Sequence, residues 1–174
     1  TNLTLYVYCF AALTKKNFFL TIFKGTDVFA ERIKESKFPW MISNVYDSVT
    51  DVITMYPSMI DSAIVPTSMP NLKIGLFGVI YPFLQTSIKV NQTRYSVVDY
   101  TEVAKLQVEN LKSKGATFII ALTHVAGEED CVLARNVPQI DLIISGHDHN
   151  VKMSQDCRGA PYFTATQDFQ NLWH

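Results

Sequence analysis

At 174 residues the chain is long enough for one domain with a substantial core and too short for two domains of ordinary size. Hydrophobic residues make up 48% and charged residues 18%, which is typical of a globular protein and argues against a disordered one. The net charge is −1 and the lysines and arginines are scattered, so no basic stripe indicates a nucleic-acid polymer or an anionic membrane as a partner.

The first 24 residues differ in texture from the rest, being rich in Phe, Leu, Thr and Tyr without clear turn signals. Their apolar run over residues 3–13 is too short to cross a bilayer, so we expect no stable membrane span. The triplets Asn2-Leu3-Thr4 and Asn91-Gln92-Thr93 match the glycosylation sequon and weakly favour a secretory location over a cytoplasmic one. We interpret residues 1–24 as a divergent apolar segment and predict one domain over residues 25–174.

Four segments follow in the first half of that domain. A partial apolar face with flanking charges predicts a helix over residues 27–35. Residues 38–45 have the pattern of a short buried strand, with Pro39 near its start, where a missing N–H group is tolerated. Residues 46–70 are predicted to be rich in loops with one edge strand at 62–65, and residues 72–80 are predicted to form a strand.

The strongest helix signal lies at residues 100–114. Asp99 and Glu102 have the spacing of a capping box, and Gly115 lies where a left-handed residue commonly ends a helix. Ala104, Val108 and Leu111 recur on one helical face.

The second half alternates strands and helices. We predict a strand at 117–122, a helix at 128–136 that opens with Glu128, Glu129 and Asp130, a strand at 141–145 and a strand at 160–166. Acidic residues in a first helical turn complement the helix dipole. The apolar strands separated by helices predict an α/β fold whose parallel or mixed sheet is covered on both faces.

The three cysteines carry little pattern. Cys9, Cys131 and Cys157 are odd in number, widely spaced and without a C-x-x-C motif. We therefore expect neither a zinc knuckle nor a disulfide framework, and we interpret Cys131 as a core-packing residue of the helix at 128–136.

Three of the four histidines lie at the ends of two buried-looking strands. His124 follows the apolar run 118–122 at a distance of two residues, and His147 and His149 follow Leu142-Ile143-Ile144-Ser145-Gly146. Neutral imidazole is the commonest metal-ligand side chain, and ligands of open α/β sheets bind beyond the carboxyl ends of the strands. Three such nitrogens suit zinc, manganese, iron or similar metals. His174 is isolated and is interpreted as a non-ligand.

The ordered segments around these histidines resemble the calcineurin-like metallophosphoesterases, specifically their 5′-nucleotidase-like branch. The resemblance rests on Ala121-Leu122-Thr123-His124, on the G-H-x-H signature Gly146-His147-Asp148-His149, and on residues 38–45, 73–80 and 168–172. It extends from about residue 25 to the end of the chain.

The resemblance implies a partial αββα sandwich with two divalent metal ions and hydrolysis of phosphate esters, with a phosphomonoester or nucleotide as substrate. By position, His124 and His147 would bind one metal ion and His149 the other. Asp148 occupies the variable position of the signature, and Asn44 matches no ligand of the family and is interpreted as structural. The resemblance assigns no catalytic or substrate-binding residue.

Other motifs of the family have no counterpart in these 174 residues. The chain has no Asp-x-His before His147, no histidine before His124 and no Gly-Asn-His-Glu/Asp before Gly25. Three ligands cannot hold two metal ions in hydrolytic geometry, so we predict weak or no hydrolysis by this chain alone. The alternatives are a non-catalytic module that binds a partner or a single metal ion, and a mononuclear three-histidine enzyme that is unrelated to phosphate esters.

Overall fold

The computed structural model describes residues 26–50, 59–82, 94–147, 152–154 and 159–164, and residues 1–24 lie outside these ranges. In the described part the helices are α1 (Thr26–Glu35), α2 (Tyr100–Ser113) and α3 (Gly127–Asn136). The strands in the same ranges are β1 (Trp40–Met41), β2 (Val45–Asp47), β3 (Met59–Ile60), β4 (Ser62–Pro66), β5 (Lys73–Ile80), β6 (Tyr95–Val97), β7 (Phe118–His124), β8 (Leu142–Ser145), β9 (Lys152–Ser154) and β10 (Tyr162–Thr164).

A mixed sheet of six strands organises the described residues, in the order β4-β5-β7-β8-β10-β9. The four inner strands are parallel, and the outer strands β4 and β9 run antiparallel to their neighbours. The predicted α/β class with a mixed sheet is confirmed, and β4 is the predicted edge strand. Among the described helices, none combines the length and apolar character that crossing a membrane requires.

The sheet is covered on both faces, which explains why its inner strands are apolar at successive positions. One face packs under α2 and α3 and presents Phe77, Ala121 and Ile143. The opposite face presents Leu76 and Ile120 and packs against the short β1 strand through Met41. Two small ladders complete the described part: β1 pairs with β3 in parallel, and β2 pairs with β6 antiparallel.

Helix α2 follows its sequence signals closely. The Asp99 side chain accepts hydrogen bonds from the backbone N–H groups of Thr101 and Glu102, as an N-cap residue does. The Glu102 carboxylate instead pairs with Lys105, and Gly115 ends the helix at a φ of +90°. The predicted cap residue and helix end are therefore confirmed.

The predicted strand at 38–45 is wrong as a single element. Residues 40–45 are buried as expected, but the strand divides into β1 and β2. Between them, the side chains of Ser43 and Asn44 bond to the backbone of β5 and replace regular ladder contacts. The apolar pattern predicts that these residues are buried. It does not predict that side-chain hydrogen bonds take the place of backbone ladder bonds at Ser43 and Asn44.

The interpretation of the cysteines is also wrong in part. Cys131 is half-buried on α3 and packs against the core beneath the helices, as predicted. It is nevertheless disulfide-bonded, although the spacing of the cysteines gives no such sign. Cysteines that are distant in sequence meet through tertiary packing, which spacing does not encode.

Candidate metal centre

His124 and His147 meet at the carboxyl edge of the sheet because their strands are parallel neighbours. His124 is the last residue of β7, and His147 lies two residues after β8. The register pairs Thr123 with Ser145, and the N–H group of Gly146 donates to the carbonyl of Thr123 at 2.9 Å. The two histidines therefore leave adjacent strand ends at nearly the same level, as the sequence predicts.

The two imidazoles face each other through nitrogen atoms. Nε2 of His124 lies 3.4 Å from Nδ1 of His147, and the rings meet edge to face with centroids 5.2 Å apart. Two nitrogens that each lie about 2.1 Å from a tetrahedral zinc ion are separated by about 3.4 Å. The pair thus fits two corners of one metal site, and without a metal ion one ring can donate a hydrogen bond to the other.

The backbone at His147 is strained. Its φ of +98° makes it the only described non-glycine residue with positive φ. This conformation is uncommon for a side chain with a Cβ atom and costs about 1–3 kcal/mol when the surrounding structure enforces it. Such strain is frequent at functional sites, and here it accompanies a ring that faces His124.

A buried polar clamp made of Ser43 and Asn44 supports the strand end beside His124. The Asn44 amide group donates to the carbonyls of Ile80 and Val98 at 2.7 and 3.0 Å, and its oxygen accepts from the N–H group of Ile80 at 3.0 Å. Ile80 is the residue of β5 that pairs with His124. Asn44 therefore fixes the neighbouring strand of a predicted ligand, which agrees with its structural interpretation.

Ser43 completes the clamp one residue earlier. Its hydroxyl donates to the carbonyl of Asp61 at 2.6 Å and accepts from the N–H group of Gly78 at 3.1 Å. A Cβ atom at Gly78 would lie 3.0 Å from the carbonyl oxygen of Met41. Only a residue without a side chain lets the clamp approach β5 this closely without a shift.

The acidic triplet of α3 forms the first helical turn as predicted, but its members differ in environment. Glu128 is exposed, whereas Glu129 accepts a hydrogen bond from the Tyr100 hydroxyl. Burial, reinforced by the Glu129 carboxylate, raises the pKa of Tyr100 and keeps its hydroxyl protonated as a donor. The buried carboxylate of Asp130 accepts from the Thr123 hydroxyl at 2.6 Å, next to His124 in sequence.

Two of the three predicted ligands are therefore brought together. His149 and Asp148 lie outside the described residues, as does His174. Within the described ranges no group of three or more histidine, cysteine or acidic side chains converges as a metal site would require. Sequence reasoning missed the contact between Thr123 and Asp130, whose only signal is a hydroxyl next to the histidine and an acidic residue in the following helical turn.

The chain is similar in sequence to proteins that are named as nucleotide phosphoesterases. The chain is 29% identical over 150 residues to a 2′,3′-cyclic-nucleotide 2′-phosphodiesterase/3′-nucleotidase of Haemophilus influenzae, covering 79% of this chain and 23% of the relative. It is 31% identical over 155 residues to the trifunctional nucleotide phosphoesterase YfkN of Bacillus subtilis, covering 80% of this chain and 10% of the relative. No family model matches the chain.

Solved structures give the same result for the fold. The structure of the calcineurin-like phosphoesterase YfkN from Bacillus subtilis superposes with a TM-score of 0.69 at 24% identity, over 83% of this chain and 51% of that chain. The chain spans less than a quarter of the length of the curated relatives that it matches. The relatives and the structural neighbours of this chain are thus metallophosphoesterases of the calcineurin-like fold, among them nucleotidases and nucleotide phosphodiesterases, and the chain covers part of their domain.

Proposed function

We propose that His124 and His147, together with His149, are ligands for divalent metal ions in a phosphoester hydrolase. The facing nitrogens of His124 and His147, 3.4 Å apart at two adjacent strand ends, carry this proposal. The similarity of the chain to metallophosphoesterases supports it, because that family implies divalent metals. By resemblance, His124 and His147 hold one ion and His149 contributes to the second.

The residues of this chain would position the metal ions rather than exchange protons. His124 is only 3% exposed and is fixed by the ladder of β7, and Asn44 holds the adjacent strand end. When bound, the ions polarise a phosphoryl oxygen and lower the pKa of bound water. Because the imidazoles are neutral ligands, they leave the positive charge of the ions available to the substrate phosphate.

We further propose phosphomonoesters or nucleotides as the substrate class. The named relatives include a 3′-nucleotidase, a nucleotide phosphoesterase and a snake venom 5′-nucleotidase. The alignments cover 66–81% of this chain, and we propose that residues 25–174 form part of one metallophosphoesterase domain. Hydrolysis by this chain alone is proposed to be weak, since the Asp-x-His and Gly-Asn-His motifs do not occur before His124.

Metal titration tests the ligand assignment directly. Calorimetry with Mn²⁺ should detect binding to the unmodified chain, and His147→Ala or His124→Ala should weaken it by at least about tenfold, because each removes a directly coordinating atom. His174→Ala is the matched control and should bind as the unmodified chain does. Equal affinities for all four proteins would contradict the assignment.

Turnover then separates the two candidate functions. With an aryl phosphate and Mn²⁺, the hydrolase proposal predicts slow turnover that His147→Ala abolishes. One equivalent of bound metal with no turnover would favour the non-catalytic metal-binding module, which the missing motifs also favour. Fast turnover with two equivalents of metal would contradict the proposal that this chain holds an incomplete site.

A further inference from the structure

The disulfide at Cys131 has a partner that the described residues do not include. The chain has three cysteines, so the partner is Cys9 or Cys157. Both lie outside the described ranges. The choice between them follows from what packs against the face of α3 that carries Cys131.

The segment just after Cys157 packs against that helix. Ala134 lies one turn after Cys131, and residues three apart share a helical face. A Cβ atom at Gly159 would lie 2.3 Å from the carbonyl oxygen of Ala134, so the two backbones touch. Ala160 is buried in the same core cluster as Leu133 and Ala134.

The chain length from Gly159 brings Cys157 within bonding reach. Two residues span at most about 7 Å of extended chain. A disulfide needs Cα atoms about 4.4–6.8 Å apart. Cys157 lies two positions before Gly159, and Cys131 lies one helical turn before Ala134, so the two cysteines can reach each other. Cys157 therefore lies two residues from a described backbone contact with α3, whereas Cys9 lies 17 residues before the first described residue, Thr26.

We propose that Cys131 and Cys157 form a disulfide that ties α3 to the segment between β9 and β10. Two S–H bonds break and one S–S bond forms, and the two electrons and two protons pass to a disulfide oxidant such as oxidised glutathione. A bond of this kind persists in an oxidising compartment, which agrees with the two sequons at Asn2 and Asn91.

The bond closes a loop that contains two of the three predicted ligands and begins close to the third. Cys131 lies seven residues after His124, and the segment from Cys131 to Cys157 includes β8, His147 and His149. The disulfide therefore joins the helix that follows β7 to the segment that follows β8 and β9, and β7 and β8 are the two strands whose ends carry the candidate metal centre. Its effect on metal affinity rests on the proposed function, whereas the pairing itself does not.

Tryptic digestion without reduction tests the pairing, because cleavage separates the three cysteines. Cys9, Cys131 and Cys157 fall in the peptides 1–15, 115–135 and 153–158. After refolding with oxidised glutathione, mass spectrometry should find 115–135 linked to 153–158, with Cys9 alkylated as a free thiol. A link from 115–135 to 1–15, or an alkylated Cys131, would overturn the proposal.

Serine variants extend the test to the metal centre. Cys9→Ser should retain the linked peptides, and Cys157→Ser should leave Cys131 open to alkylation. The double variant Cys131→Ser/Cys157→Ser should bind Mn²⁺ several-fold more weakly than Cys9→Ser. Equal affinities would overturn the link to the metal centre. Linked peptides together with no Mn²⁺ binding in any variant would uphold the pairing and reject the proposed function instead.

Discussion

Two buried polar regions lie side by side at the carboxyl edge of the sheet, and they differ in how their polar atoms are satisfied. In the clamp of Ser43 and Asn44, the side-chain donors and acceptors bond to backbone groups of neighbouring segments. In the histidine pair, a side-chain nitrogen of His124 faces a side-chain nitrogen of His147. Both regions are largely removed from solvent.

The difference separates a structural role from a functional one. Amide and hydroxyl groups that bond to backbone atoms replace lost solvent contacts and specify the path of the chain. Two facing imidazoles contribute little to folding that way, and they are held partly by a strained backbone. Breaking the clamp should therefore cost stability, whereas breaking the pair should cost metal binding.

The largest expected loss of stability comes from removing the clamp amide. Asn44→Ala leaves the N–H and C=O groups of Ile80 and the C=O group of Val98 without these partners. We expect the free energy of unfolding to fall by about 3 kcal/mol, because buried unpaired backbone groups are costly. Urea denaturation measures this change. The exposed Asn71→Ala is the control and should stay within about 0.5 kcal/mol; equal losses in both variants would refute the clamp.

Asp47, three residues after Asn44, is a buried charged residue whose polar atoms are also satisfied by hydrogen bonds. Asp47 is 1% exposed, and its carboxylate accepts from Arg94 at 2.8 and 3.0 Å and from the N–H group of Val49 at 2.9 Å. The bonds from Arg94, opposed by burial and helped by Val49, lower the pKa of Asp47 from 3.8 to about 2. The ionised form therefore stabilises the fold above about pH 4.

Acid should remove that stabilisation progressively. Between about pH 4 and pH 2 the unfolded chain carries a proton at Asp47 that the folded protein does not. The free energy of unfolding therefore decreases as the pH is lowered through this range. We expect Asp47→Asn to be about 2 kcal/mol less stable near pH 6 and to lose this part of the acid dependence. Urea denaturation at pH 6, 4 and 3 checks both. Parallel pH profiles for the two proteins would contradict the role of Asp47.

Elements whose determinants are local could be predicted from the sequence. The cap at Asp99, the turn at Gly115 and the apolar runs of β5, β7 and β8 each follow from a few adjacent residues. The parallel order of β7 and β8 then brings His124 and His147 together, as the strand–helix–strand pattern predicts.

Features created by tertiary contact could not be predicted in this way. The division of 38–45 into two short strands depends on Ser43 and Asn44 bonding to β5, more than 30 residues away in the chain. The disulfide at Cys131 likewise joins cysteines that are distant in the chain, and no local sequence pattern marks the positive φ of His147. A sequence pattern identifies the residue types at these sites but not the partner that each will meet.

The smallest expected change in stability comes from the histidine pair. Replacing the clamp residue Asn44 should lower the free energy of unfolding, whereas changing alanine to glycine at position 147 should raise it. His147→Gly and His147→Ala both remove the imidazole, so both should lose metal binding. They differ only in the Cβ atom at a backbone φ of +98°. Glycine adopts this conformation without steric cost but loses more entropy on folding, so the metal-free glycine variant should be more stable than the alanine variant by about 0.5–1 kcal/mol.

Urea denaturation in the presence of a chelator measures this difference without interference from metal binding. Gly115→Ala is the matched control, because it places a Cβ atom at a φ of +90° where the chain now has none. It should lower the free energy of unfolding by about 1 kcal/mol. An alanine variant as stable as the glycine variant at position 147, with the expected loss at position 115, would show that the turn at His147 relaxes once the ring is removed. The strain would then belong to the contact between the two imidazoles rather than to the path of the chain.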